Sequence, residues 1–102
     1  MQDFNVNAAS EKQHEIFDRV CKVLKNREYF TIHEDKEISM DSKLYEDLNL
    51  DSLDIVELEM ACESEFDIWI PGEKGLDQAI TVNDVVNTIN SLIPWVTFKE
   101  AR

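Results

Sequence analysis

The chain is poor in residues that break or bend a backbone: its 102 residues include two glycines and two prolines. That scarcity leaves no Gly-x-Ser-x-Gly turn, the strained elbow that exposes the nucleophile of one hydrolase class. Histidine is equally scarce. His14 falls on a helical face and His33 in a polar stretch, both reading as solvated side chains, and no histidine follows. Only two cysteines occur, Cys21 and Cys62, far apart and without metal-type spacing. Each lies in a helical apolar pattern, which predicts buried free thiols. Without a signal peptide ahead of them, they suit a reducing cytosol. No apolar run approaches the ~20 residues needed to cross a bilayer.

Basic residues are the last shortage. Ten Lys and Arg stand against 22 Asp and Glu, for a net charge of -12. The imbalance is local: residues 41–67 carry ten acids and one base, so -9 of the total falls there. Such a field argues against nucleic acid and anionic membrane as partners, and for basic protein surfaces drawn in by long-range attraction. A solvated acidic face kept for solubility is the plainer alternative. An ordinary apolar fraction of 43% and a length near the common domain size point to one domain with a single modest core.

Helical periodicity organises most of the chain. Ser10 with Gln13 forms a capping-box signal, and Ile16, Phe17, Val20, Val23 and Leu24 then recur on one face. These predict a first helix from about Glu11 to Asn26, after a frayed segment 1–9. Residues 27–50 form a long connection of the kind a helical bundle needs for a crossover. Within it, Tyr29–Ile32 reads as a short extended piece or a core plug. Ile38, Leu44 and Leu48 are expected to pin it, with a single turn near Asp41-Ser42. A second helix begins with Asp51 as its cap, Asp54 at the third helical position, and a Leu50–Ile55 staple, and ends at Glu65 or Phe66. Ile70-Pro71 closes the segment. Gly72 and Gly75 follow, predicting a brief or irregular helix around Glu73–Ala79. The last helix has Thr81 as cap, Asp84 at its third position and an Ile80–Val85 staple. Its buried stripe is Val82, Val85, Val86, Ile89 and Leu92, and Pro94 stops it. An apolar tail, Trp95–Phe98, is expected to pack back. No internal repeat appears. The expected class is therefore all-α, a four-helix bundle with three main helices and one short one.

Ser52 stands out within Leu48-Asn-Leu-Asp-Ser-Leu-Asp54. It has a carboxylate on either side and occupies the first helical position, where unpaired N–H groups and the helix dipole favour a phosphodiester. Its hydroxyl should point outward, and a mobile loop before it should leave room for a modifying enzyme. On position alone, the plainer reading of a residue suited to a helix start takes precedence. A calcium loop is also suggested by Asp47, Asn49 and Asp51 at alternating positions. It fails where glycine and glutamate are required, since those places hold Ser52 and Leu58. No metal site is expected.

The run Leu44-Tyr-Glu-Asp-Leu-Asn-Leu-Asp-Ser-Leu-Asp-Ile-Val-Glu-Leu-Glu-Met60 resembles the phosphopantetheine attachment region of acyl carrier proteins. The likeness extends from about Lys36 to Leu92. It takes in the lead-in Lys36–Leu48, the pattern Val-Glu-Leu-x-Met-Ala-x-Glu-x-Glu-Phe-Asp67, the Ile-Pro pair at 70–71 and the Ile-Thr-Val start of the last helix. The resemblance implies a carrier domain over residues 10–93, with a flexible start and a tail at 94–102. It implies that Ser52 carries 4'-phosphopantetheine donated by coenzyme A through a phosphopantetheinyl transferase. It further implies that the chain is not itself an enzyme, and presents thioester-bound acyl groups to enzymes of fatty acid, polyketide or related lipid biosynthesis. A cytoplasmic monomer is expected.

On the second helix, Ile55, Leu58, Cys62 and Phe66 repeat on a core face. Leu53, Val56 and Met60 form a second stripe beside Ser52, with Glu57, Glu59 and Glu63 next to it. By resemblance this stripe, together with Asp51 and Asp54, docks partner enzymes with basic surfaces; a wider core contact is the alternative. Three positions depart from the family pattern. Asn49 stands where glycine is common, Glu59 where an apolar residue is usual, and Trp69 where a polar one is frequent. Two alternatives remain at this point: an unmodified, carrier-like acidic interaction protein, and a peptidyl or aminoacyl carrier.

Overall fold

A computed structural model of the chain describes the backbone of residues 3–93 and the side chains of residues 11–93. The expected helix stop at Pro94 and the Trp95–Phe98 tail lie outside the described residues. Helix α1 runs Asp3–Leu24, eight residues earlier than the Ser10 signal suggested. Residues 3–10 contain no proline or glycine and include two alanines, so nothing there opposes a helix, and Ser10 becomes an interior residue. The other end comes two residues sooner than expected. There Asn26 turns the chain: its side chain accepts the Glu28 N–H at 2.9 Å, and its carbonyl accepts those of Tyr29 and Phe30. Ile16, Val20, Val23 and Leu24 form the buried face of α1, with Phe17 packed at its margin.

The long connection is held by alternating burial rather than by a strand. Phe30 and Ile32 enter the core and Thr31 stays out. Leu44, Leu48 and Leu50 are buried, and Ile38 packs at the edge. Met40 and Asp41 form the expected turn, with Ser42 N–H donating to the Ser39 carbonyl at 3.1 Å. Backbone bonds then lace the connection onto the start of the last helix. Leu44 N–H donates to Ile80 O at 2.9 Å, Val82 N–H to Ser42 O at 3.0 Å, and Asn83 N–H to Met40 O at 2.9 Å. Ser42 is buried in this seam, its hydroxyl accepting the Ser39 N–H. A lone antiparallel bridge, Lys43–Thr81, marks the contact, and no strand occurs among the described residues.

Helix α2 spans Ser52–Phe66 and buries Ile55, Leu58, Ala61, Cys62 and Phe66. It ends at Asp67, whose left-handed backbone (φ 55°) turns its N–H to the Glu63 carbonyl. Arg19 of α1 covers this end. Its Nε meets Glu65 Oε2 at 2.9 Å, its Nη2 donates to the Glu65 carbonyl at 2.6 Å, and its guanidinium lies 4.6 Å from the Phe66 ring centroid. A cation there suits both the helix dipole and the aromatic face.

The expected short helix is realised as two 3₁₀ turns, Gly72–Lys74 and Leu76–Gln78. Helix α3 (Val82–Leu92) follows and buries Val82, Val85, Val86 and Ile89, with Leu92 at the margin. Its capping box forms as expected, but its staple does not. Ile80 is 62% exposed. Its carbonyl is held by Leu44 N–H and its N–H donates to Asp84 Oδ2 at 2.8 Å. The backbone is thus fixed from both sides, and the side chain is left outside. The whole is an all-α bundle in which α1 packs against both α2 and α3.

Of the two thiols, Cys62 is buried as expected. Burial first, then Glu65, Glu59 and Glu63, pushes it up to about 12. Cys21 is only half-buried, because it sits at the edge of the α1 stripe rather than on it. Burial and Asp18 raise it, against Lys25.

Candidate attachment site and docking face

Ser52 is the first residue of α2, and its side chain is exposed. What places it there is a closed capping box. Asp51 Oδ1 accepts the Asp54 N–H at 2.9 Å, and Asp54 Oδ2 accepts the Asp51 N–H at 3.1 Å. Leu50 and Ile55 are both buried on either side of this cap, completing the staple. Ser52 therefore begins a turn whose backbone is set independently of its own side chain.

The approach to Ser52 is tied, although the sequence suggested a mobile loop. Asp47 and Leu48 N–H groups both donate to the Lys43 carbonyl, Lys43 N–H returns to Asp47 Oδ2 at 2.8 Å, and Leu50 N–H donates to Leu44 O. Asn49 supplies the reversal with φ 58°. A left-handed residue is required at that position, and asparagine tolerates it where glycine is absent. The exposure of Ser52 thus owes nothing to slack in the segment before it.

A groove beside the helix start is lined by Ile32, His33, Lys36, Asn49 and Asp54 among others. The groove brings two basic residues of the first connection, His33 and Lys36, beside the start of α2, which linear spacing did not reveal. Both histidines are exposed, and His33 Nδ1 accepts the Asp35 N–H at 3.2 Å. Among the described residues, no group of three His, Cys, Asp or Glu side chains is placed to hold a metal ion.

The two faces of α2 separate as the spacing predicts. Leu53 is 77% exposed, and Val56 and Met60 are exposed along the same side. A wider core contact is thereby excluded for these three. Glu57, Glu59 and Glu63 are half-buried, and two of them bond the backbone of the following segment. Glu59 Oε2 accepts the Leu76 N–H at 2.8 Å, and Glu63 Oε2 accepts the Ile70 N–H at 2.9 Å. These roles were missed because they join residues seven and seventeen apart through an irregular turn.

The carboxylate of Glu59 explains its departure from an apolar pattern: it caps the second 3₁₀ turn from the side. Gly75 makes room for it, since a Cβ there would lie 2.7 Å from Glu59 Oε2. Trp69 is 73% exposed and so takes no part in lining the core.

No protein-family model matches the chain. Curated relatives do. An acyl carrier protein of Campylobacter lari is 46% identical over 77 residues, covering 76% of this chain and 95% of the relative. One from Clostridium acetobutylicum is 53% identical over 55 residues, covering 54% and 70%. One from Campylobacter jejuni is 49% identical over 55 residues, with the same two shares.

Proposed function

Because this chain belongs to the acyl carrier protein family, we propose that Ser52 bears a 4'-phosphopantetheine arm. On that arm the chain presents acyl thioesters to enzymes of fatty acid, polyketide or related lipid biosynthesis. The observation that carries the proposal is the exposed Ser52 hydroxyl at the first position of a helix whose cap is closed without it.

The residues present fit such a group. Asp51 and Asp54 fix the first turn through their reciprocal bonds, leaving the serine oxygen to solvent. The capping box occupies the Asp51 and Asp54 N–H groups, which leaves those of Ser52 and Leu53 as the first-turn donors that would meet a phosphodiester. Coenzyme A supplies the group through a separate transferase, and the arm's terminal thiol supplies the thioester chemistry. The chain itself positions and is recognised; it neither makes nor breaks the acyl bond. Leu53, Val56 and Met60, rimmed by Asp51, Asp54, Glu57 and Glu63, form the face on which basic partner surfaces dock, steered by the concentrated negative charge. No helix among the described residues is long and apolar enough to cross a membrane.

Incubation with coenzyme A, magnesium and a broad-specificity phosphopantetheinyl transferase tests the reading. Intact mass should rise by one phosphopantetheinyl group in the parent and not in Ser52→Ala. An unmodified parent would favour the acidic interaction protein instead. A modified parent that accepts aminoacyl but not acyl groups would favour the peptidyl carrier.

A further inference from the structure

Trp69 is a large apolar side chain that the fold deliberately holds in water. Three N–H groups converge on Glu63 to hold it there. Asp67 N–H and Ile68 N–H both donate to the Glu63 carbonyl, and Ile70 N–H donates to its carboxylate at 2.9 Å. Ile68 is half-buried against the core and Ile70 is buried. Pro71 keeps Ile70 out of the helical region. Side chains alternate in an extended segment, so two inward isoleucines force the residue between them outward. The exposure of Trp69 follows from this register and not from a loose loop.

The same latch fixes where Trp69 lies. Glu63 is one helical turn beyond Met60, and residues three and four apart share a helix face. The stripe Leu53, Val56, Met60 thus leads to Glu63, whose carboxylate grips the peptide that joins Trp69 to Ile70. Trp69 follows the end of α2 opposite Ser52, exposed and one peptide away from the Glu63 carboxylate. The 15 residues of α2 put its two ends about 21 Å apart at the helical rise.

We propose that Trp69 is an anchor residue of the docking face, held in place by Glu63. It fits an apolar socket on a partner whose surrounding surface is cationic. The charge of this region decides the partner's sign: residues 41–67 carry ten acids against one base. Tryptophan is enriched among residues that dominate interface energy, because its large rigid surface is ordered at little entropic cost. The partner that the attachment chemistry requires is the transferase acting on Ser52. The proposal rests on the reading of Ser52 as the attachment site, and it extends the footprint of that enzyme along the whole of α2.

Steady-state kinetics of a broad-specificity phosphopantetheinyl transferase, with the carrier as varied substrate, provides the test. Trp69→Ala should raise the KM for the carrier about tenfold, the scale of a genuine interface anchor, with kcat within twofold of the parent. Trp69→Phe should recover most of the loss. Glu63→Ala should raise KM severalfold, and Glu63→Gln, which keeps an oxygen for the Ile70 N–H but gives up the rim charge, should raise it by less. Circular dichroism should show the same fold throughout.

A Trp69→Ala protein loaded with the parent's KM, alongside a raised KM for Met60→Ala, would overturn the anchor and leave the attachment reading standing. A fall in kcat without change in KM would also overturn it. A parent that takes no arm at all would remove the partner, and the proposal with it.

Discussion

Helices α2 and α3 start with the same device and use it in opposite directions. Each has an oxygen-bearing cap, Asp51 or Thr81, and each has an aspartate at the third position returning a bond to the cap N–H. The first helical residue is then Ser52, exposed, in one and Val82, fully buried, in the other. The residue before the cap is reversed too: Leu50 is buried and Ile80 is 62% exposed. Capping therefore fixes that a helix begins but not which way its first turn faces. At α2 the staple turns the chain inward before the cap, and the first turn is left exposed. At α3 the backbone seam with the long connection takes that place, and the first turn becomes core.

Exchanging the two first residues separates these roles, and its larger effect falls on α3. Val82→Ser removes a fully buried side chain and places a hydroxyl in the core. The expected loss is roughly 2–4 kcal/mol, a fall in Tm on the order of 10 °C or more for a domain of this size. Ser52→Val should change stability by no more than ~0.5 kcal/mol, as at other exposed sites. Equal destabilisation by the two in thermal melts would mean that the starts face the same way.

A smaller effect distinguishes the third-position carboxylates. Asp84 accepts N–H groups from Ile80 and Thr81, and these hold its carboxyl below the usual aspartate value. A depressed folded value contributes stability above the unfolded pKa of ~3.9, and that contribution is lost as pH falls through the folded value. Asp84→Asn should therefore lower Tm at neutral pH and converge with the parent in acid. The loss should stay below the ~1 kcal/mol of a full cap, since solvent screens a partly exposed carboxylate. A parent–variant gap that persists unchanged below pH 3 would assign the effect to shape and not to charge.

The smallest expected effect concerns the charge around α2, which α3 lacks. Self-repulsion among the acids of residues 41–67 opposes the compact state. Salt should raise Tm as the Debye length falls from ~30 Å at 0.01 M to ~10 Å at 0.1 M. Millimolar magnesium or calcium should raise it further at matched ionic strength. Overlapping melts in all three buffers would show that the acids are too well solvated to repel.

Much of this contrast was legible in the chain because it is local. Both capping boxes lie within four residues. The two faces of α2 follow from spacing alone, and Asn49, standing where the resembled family favours glycine, takes the left-handed turn. What escaped depends on contact between distant residues. Ile80 looked like a staple because Val85 follows it; the bond from Leu44, far back in the chain, decides otherwise. Glu59 and Glu63 read from spacing as rim charges alone, and their carboxylates also close the irregular segment after α2. The start of α1 was missed for the opposite reason. A good local cap signal at Ser10 had no power to stop a helix that its preceding residues already favoured.

The most direct measurement is the location of the arm. The chain holds six serines: Ser10, Ser39, Ser42, Ser52, Ser64 and Ser91. After treatment with coenzyme A and transferase, proteolysis and fragmentation mass spectrometry should place one phosphopantetheinyl group on the peptide containing Ser52 and none on the other five. An arm on any other serine, or its persistence in Ser52→Val, would contradict the assignment of the outward helix start as the attachment site.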